Sequence, residues 1–424
     1  MKRILTFMLV CVMLAALLVP LTSSAASVTL LSGNEVKNIF DSSQNSVKEV
    51  FKSSKGASLP YRLYVPDDYD PEKSYPLVLF FHGAGERGTD NSLHISMGSV
   101  MQRLLTPTER EEHPCLILAP QCPASSQWVL SDWGPGTYTQ SDATKSTFMT
   151  AAEELVDKVI ADYAVDESRL YVTGMSMGGY GTWDIISRNP GKFAAAAPVC
   201  GGVDPKYLPS LVGFPIWTFH NNADPIVSCT GTKLANSVLS KNDAFTYTEY
   251  KSGAHDAWTA AYKTEDLINW MFSKTTAIDV TYPTVEGVTF DGPTSIKSGA
   301  DLTFSYEVTA EGKELSLSVG GEALTLTDPV AGEVTVKGYE GAAIEAVLVD
   351  AKNDPIPDGS EAPEGSEGTP QTPQTPDSNE QTPDDTAKGE DTDDNNTLIV
   401  ILAVVAIVLI IAAAAFAVWK INKK

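Results

Sequence analysis

Histidine and cysteine are scarce in this chain, five of each in 424 residues. No His-x-x-x-His, Cys-x-x-Cys or acidic calcium-loop pattern occurs, so the spacings on which zinc and calcium sites are built are missing. Positive charge is also in short supply: 30 lysines and arginines stand against 54 aspartates and glutamates, a net charge of −24. That balance opposes nucleic acid and anionic lipid surfaces, both of which attract clustered cations. The glycine cluster Gly178-Gly179-Tyr180-Gly181 lacks the lysine and the spacing of a phosphate-binding loop. The sequence therefore implies no metal, no cofactor and no nucleic-acid partner.

What is present is a series of strand ends followed by reactive side chains. The strand-like run Arg169-Leu170-Tyr171-Val172-Thr173 leads into Gly174-Met175-Ser176-Met177-Gly178, and a helix-like run starts at Tyr180. Strand, tight turn and helix make a nucleophile elbow, in which small residues two before and two after the serine let the turn close. Ser176 is the candidate nucleophile. Downstream, the short apolar run 214–220 ends before a turn carrying Asp224, and the alternating run 245–250 precedes a loop carrying His255. A serine hydroxyl is a weak nucleophile until a base removes its proton; imidazole can do so near neutral pH, and a carboxylate fixes its tautomer. The chain order Ser176, Asp224, His255 is the order of an α/β-hydrolase triad.

Upstream, the apolar run 75–81 ends in His82-Gly83-Ala84-Gly85-Glu86-Arg87-Gly88. Acyl transfer needs two amides aimed at the oxyanion, and Met177 and Ala84 are the expected pair, with Gly85 next in line. His82 is expected to shape this loop and His220 to support the acid loop as a buried ring, while His94, His113 and Asp204 read as surface residues. Asp256 adjoins His255, but sequence neighbours seldom face each other, so Asp224 is preferred as the acid. Trp128, Trp133 and Trp258 are candidates for an aromatic platform, Trp183 reads as core, and Glu86 and Arg87 either contact substrate or pair to brace the loop. From these, Trp128, Trp258, Glu86 and Arg87 are taken as the candidate substrate contacts.

The segments PLVLFFHGAGERGTDN, LAPQCP, RLYVTGMSMGGYGTWDIISRNPGKFAAAAPVCGG and GAHDAW resemble the α/β-hydrolase esterases grouped as polyhydroxybutyrate-depolymerase-like and feruloyl-esterase-like, which include carbohydrate esterase family 1-like enzymes and are often labelled prolyl-oligopeptidase-type. The resemblance spans about residues 47–275. It departs at Asn221-Asn222, where such relatives tend to carry glycine. It implies a mostly parallel sheet flanked by helices and a serine carboxylesterase, with feruloyl or acetyl groups on polysaccharide as the first substrate class. A serine peptidase, a lipid or polyester hydrolase, and a non-catalytic surface-binding protein that keeps the fold are the alternatives. No propeller-sized domain is present to screen peptides, which argues against the first.

Around this unit, residues 1–26 read as a secretory signal peptide: Lys2-Arg3, an apolar stretch, then Ser24-Ala25-Ala26. The catalytic domain is expected over 27–275 and an immunoglobulin-like β-sandwich over 277–350, where short alternating runs are separated by glycine turns. Residues 351–397 are rich in proline, threonine and acids, a composition too polar to fold, and read as a disordered stalk reaching on the order of 130 Å. Residues 398–419 give about 22 uncharged apolar residues, enough for one transmembrane helix, and 420–424 a basic cytoplasmic tail. The expected location is the outer face of a bacterial membrane, near the wall. Cys11 falls in the signal peptide; Cys115, Cys122, Cys200 and Cys229 remain, and their pairing is open, with Cys200 to Cys229 one possibility.

Overall fold

The computed structural model describes residues 28–251 and 254–351. The expected signal peptide, stalk and transmembrane segment lie outside the described residues, Ala351 apart. Among the described residues, no helix is long and apolar enough to cross a membrane.

Eight strands form one sheet: β1 (Val47–Lys52), β2 (Ser58–Tyr64), β3 (Tyr75–Phe81), β4 (Leu116–Pro120), β5 (Val165–Met175), β6 (Ala195–Val199), β7 (Ile216–Asn221) and β8 (Phe245–Tyr250), in the order β1-β2-β4-β3-β5-β6-β7-β8. Strand β2 runs antiparallel to both neighbours, and β3 to β8 are mutually parallel. Parallel strands covered on both faces need apolar residues at every position, and β3, β4 and β6 are buried along their whole length.

Strand alternation divides β3 between two cores. Leu77, Leu79 and Phe81 pack on one face with helices α2 (Thr147–Asp162) and α3 (Met177–Arg188), while Val78 and Phe80 pack on the other with helices α1 (Gly33–Ser42) and α5 (Leu267–Phe272). Helix α4 (Thr230–Leu239) lies between β7 and β8 in the chain. Local chemistry sets where these helices begin: Ser32 and Glu35 form a reciprocal capping box on α1, and the Ser146 hydroxyl caps α2 through the Met149 amide. Because all the parallel strands point the same way, their carboxyl ends share one rim, where the loops gather.

Strands β9 (Ala277–Asp279), β10 (Val288–Asp291), β11 (Ser295–Lys297), β12 (Leu302–Val308), β13 (Lys313–Val319), β14 (Glu322–Ala323), β15 (Ala331–Val336) and β16 (Ile344–Asp350) form an all-β unit. Two three-stranded antiparallel sheets, β10-β12-β15 and β14-β13-β16, and a two-stranded β11-β9 ladder contribute to it. Alternate residues Leu302, Phe304, Tyr306 and Val308 meet Leu315, Leu317 and Ile344 in one core. It is tied to the start of β5 by the Thr276 amide, which donates to Ser168 at 2.9 Å, and by Lys297 with Glu167 at 3.5 Å.

Candidate active site

Ser176 sits between β5 and α3 with φ +54°, the left-handed region that a side chain rarely occupies. Such strain persists only where surroundings enforce it. Here they do: the Ser176 amide donates to Val199 at 2.9 Å, and the following turn is pressed against the sheet. A Cβ on Gly178 would stand 1.9 Å from the Phe81 carbonyl oxygen, and one on Gly179 2.4 Å from that of Val199. Glycine at these positions is what lets α3 approach β3 and β6 closely enough to raise the serine above the rim.

The Ser176 Oγ lies 2.8 Å from His255 Nε2, and His255 Nδ1 lies 2.6 Å from Asp224 Oδ2. The structure thus brings together three side chains that the sequence separates by up to 79 positions. The Asp224 side chain has no exposed surface. Burial raises its pKa, but hydrogen bonds from His220 and His255 and from the Val227 and Ile226 amides outweigh burial and hold the carboxyl well below the usual range. The amides reach Oδ1 at 3.0 and 2.8 Å.

The acid loop is held by residues whose importance the motif alone does not show. His220 is fully buried; its Nε2 lies 3.0 Å from the Val227 carbonyl and 3.5 Å from Asp224 Oδ2, while Nδ1 meets the Thr232 hydroxyl at 2.8 Å. With the carbonyl as acceptor, Nε2 carries the proton. Asn221, noted above as a departure from glycine, donates from Nδ2 to the Ala254 carbonyl and so ties the end of β7 to the residue before His255. Cys200, another non-glycine residue at positive φ, is buried with its Sγ within 4.8 Å of the ligand atoms of Asp224 and His255. This trio is the one His/Cys/Asp/Glu group within metal-holding reach among the described residues, and its aspartate and histidine already bond to each other. Burial pushes the Cys200 thiol far up. All four described cysteines are free thiols, Cys200 and Cys229 included.

On the opposite side, His82 is fully buried, with Nδ1 2.6 Å from the Gly83 carbonyl and Nε2 accepting the Cys122 amide at 2.9 Å. Burial lowers its pKa to about 4. Ala84 opens the 3-10 turn Ala84–Glu86 and Met177 opens α3. First amides of helical turns have no acceptor within the turn, so both expected oxyanion donors are structurally suited to the task.

Several expected contacts change on sight of the structure. Trp128 cannot stack on a substrate: it has no exposed surface, its indole nitrogen donates to the His82 carbonyl at 3.1 Å, and its ring packs on Phe81. Arg87 does not pair with Glu86. Its Nε donates to Ala84 at 2.9 Å, its Nη1 reaches Ala124 and Ser126 at 3.4 and 3.1 Å, and its guanidinium covers Trp133 at 5.6 Å. Arg87 is a brace. Trp258 keeps partial exposure and meets the His255 ring edge-on at 5.4 Å. Glu86 is half-buried beside the oxyanion loop. Trp183 lies in the core as read, but His94 is fully buried against the Ala119 carbonyl, Asp204 is buried and accepts the Gln140 amide at 2.6 Å, and His113 is half-buried against Glu109. Polarity suggested a surface for all three; distant chain segments supply the partners of His94 and Asp204, and the turn just before it supplies that of His113.

A mainly parallel eight-stranded sheet, a strained serine at the strand-to-helix turn, and a serine–histidine–aspartate chain at the carboxyl rim define the α/β-hydrolase class. Residues 53–269 match the family model Esterase, described as "Putative esterase", and the chain belongs to that family. Among curated proteins it is 31% identical over 107 residues to S-formylglutathione hydrolase of Rattus norvegicus, covering 22% of this chain and 38% of that one. It is 24% identical over 143 residues to "Probable feruloyl esterase C" of Aspergillus niger, covering 34% and 46%. Less than half of either relative's length is spanned. Among solved structures, a thermostable esterase superposes with TM-score 0.50 at 36% identity, over 56% of this chain and 64% of that one.

Proposed function

We propose that the protein is a serine carboxylesterase of the cell surface that removes feruloyl- or acetyl-type acyl groups from polysaccharide. The observation that carries the reaction is the continuous hydrogen-bonded chain from Ser176 Oγ through His255 to Asp224. His255 Nε2 takes the serine proton as Oγ attacks the ester carbonyl, and Asp224, ionised well below neutral pH, holds the proton on Nδ1 and steadies the imidazolium. The amides of Met177 and Ala84 stabilise the oxyanion. His255 then returns the proton to the departing alcohol, leaving an acyl-Ser176 ester, and activates a water to cleave it.

Polysaccharide as the substrate rests on the feruloyl esterase resemblance and on the export signal read in residues 1–26. The surface location rests on residues 398–419, and the all-β unit is taken as an immunoglobulin-like spacer between enzyme and stalk. The purified protein should hydrolyse a short nitrophenyl ester, and Ser176→Ala should lower the rate by about four to six orders of magnitude. A panel of ferulate, acetate and amide substrates then tests the class: preferential amide cleavage would replace the esterase reading with the peptidase one. Deleting 398–424 should release the enzyme into the medium; retention on the membrane would contradict the anchor.

A further inference from the structure

Glu86 is half-buried on the turn Ala84–Glu86 that begins with the expected oxyanion donor Ala84. Its Oε2 lies 2.9 Å from where a Cβ on Gly83 would stand, and that same point is 3.6 Å from the Met175 side chain and carbonyl, the residue just before the nucleophile. Its carboxyl is thus set beside the turn that presents the nucleophile. The influences on its carboxyl are burial, which raises its pKa, and the amides of Glu86 and Gly83, with no charged partner among the described residues. The adjacent cation, Arg87, is committed to three carbonyls and to Trp133.

We infer that Glu86 is a specificity residue that accepts hydrogen bonds from the hydroxyls of a sugar leaving group, so that the alcohol half of the substrate lies over the turn Ala84–Glu86. The inference rests on the esterase reading above and extends it from the acyl to the alcohol side. A carboxylate with spare lone pairs favours O–H donors, which a sugar carries next to its ester oxygen and a phenol or simple alkyl alcohol lacks. Half-buried Trp133 lies against Arg87, the residue after Glu86, and its ring is apolar surface on which a pyranose or furanose face can rest.

The test compares kcat/KM for one acyl group carried on a methyl glycoside and on nitrophenol, in wild type, Glu86→Ala and Glu86→Gln. Both variants touch the loop, so the readout is the ratio of the two substrates rather than either rate. That ratio should fall about ten- to a hundredfold in Glu86→Ala and less in Glu86→Gln, which keeps one acceptor oxygen. Deleting the neighbouring hydroxyl from the glycoside should cost wild type a similar factor and cost Glu86→Ala little more. An equal loss on both substrates would make Glu86 a brace of the oxyanion loop and overturn the inference, as would an unchanged ratio. A wild type active on the nitrophenyl ester with no gain from the sugar would also overturn it while leaving the esterase reading intact; inactivity on both would remove both.

Discussion

His220 Nε2 stands 3.5 Å from the Asp224 carboxylate oxygen that also meets His255 Nδ1 at 2.6 Å, so one oxygen faces two imidazoles. Only the second touches the nucleophile. Because His220 is fully buried and its Nδ1 is engaged by Thr232, it acts through Asp224 as a positioning residue. His220→Gln should lower kcat about tenfold with KM little changed, whereas general loosening of the fold would lower the unfolding midpoint in step.

Asp224→Asn replaces an acceptor by an amide that can donate to Nδ1 and so stabilises the wrong tautomer. A kcat loss of about four orders of magnitude is expected with the fold retained. Since hydrogen bonding keeps Asp224 ionised far into acid, the acid limb of kcat/KM in the wild type should carry no contribution from this carboxyl.

Asn221→Ala removes the bond to the Ala254 carbonyl that anchors the loop before His255. About a tenfold loss in kcat is expected, measured with a nitrophenyl ester, and Asn221→Gly should behave in the same way if that bond is what matters.

Burial lowers the pKa of His82 to about 4 and that of His94 to about 3. The unfolded chain protonates its histidines near 6.5, so below that pH it binds more protons than the folded one. Stability should then fall as pH drops through about 6.5 and continue to fall until the folded rings protonate, a loss on the order of 3 to 5 kcal/mol per ring. Denaturant unfolding between pH 5 and 7 should show this slope, and His94→Gln, which keeps a donor for Ala119, should flatten it by about one proton. An identical slope in the variant would contradict the assignment.

The parts legible in the sequence were those carried by local pattern. Ser176 was readable because strand, glycine spacing and helix are contiguous, and Asp224 and His255 because each follows a strand in triad order. What could not be read depends on distant partners. Trp128 is buried by Phe81 and His82, more than 40 positions away, and His94 by the Ala119 carbonyl, 25 positions on. Arg87 looked available for substrate because the carbonyls that occupy it, at Ala124 and Ser126, come from another loop. Asn221 did leave a trace, as a break from glycine, but its meaning needed the Ala254 carbonyl in place. Cys200 left none: its closeness to His255 arises only where β6 and the histidine loop meet.

The central claim is that Ser176 is an activated nucleophile, made so by His255. A fluorophosphonate probe measures this directly, because it phosphonylates only a serine whose proton is being removed. Intact-mass analysis and peptide mapping should find one adduct per chain, on Ser176, and almost none in His255→Ala at equal exposure. A wild-type chain that stays unmodified, or an adduct on any other residue, would contradict the account.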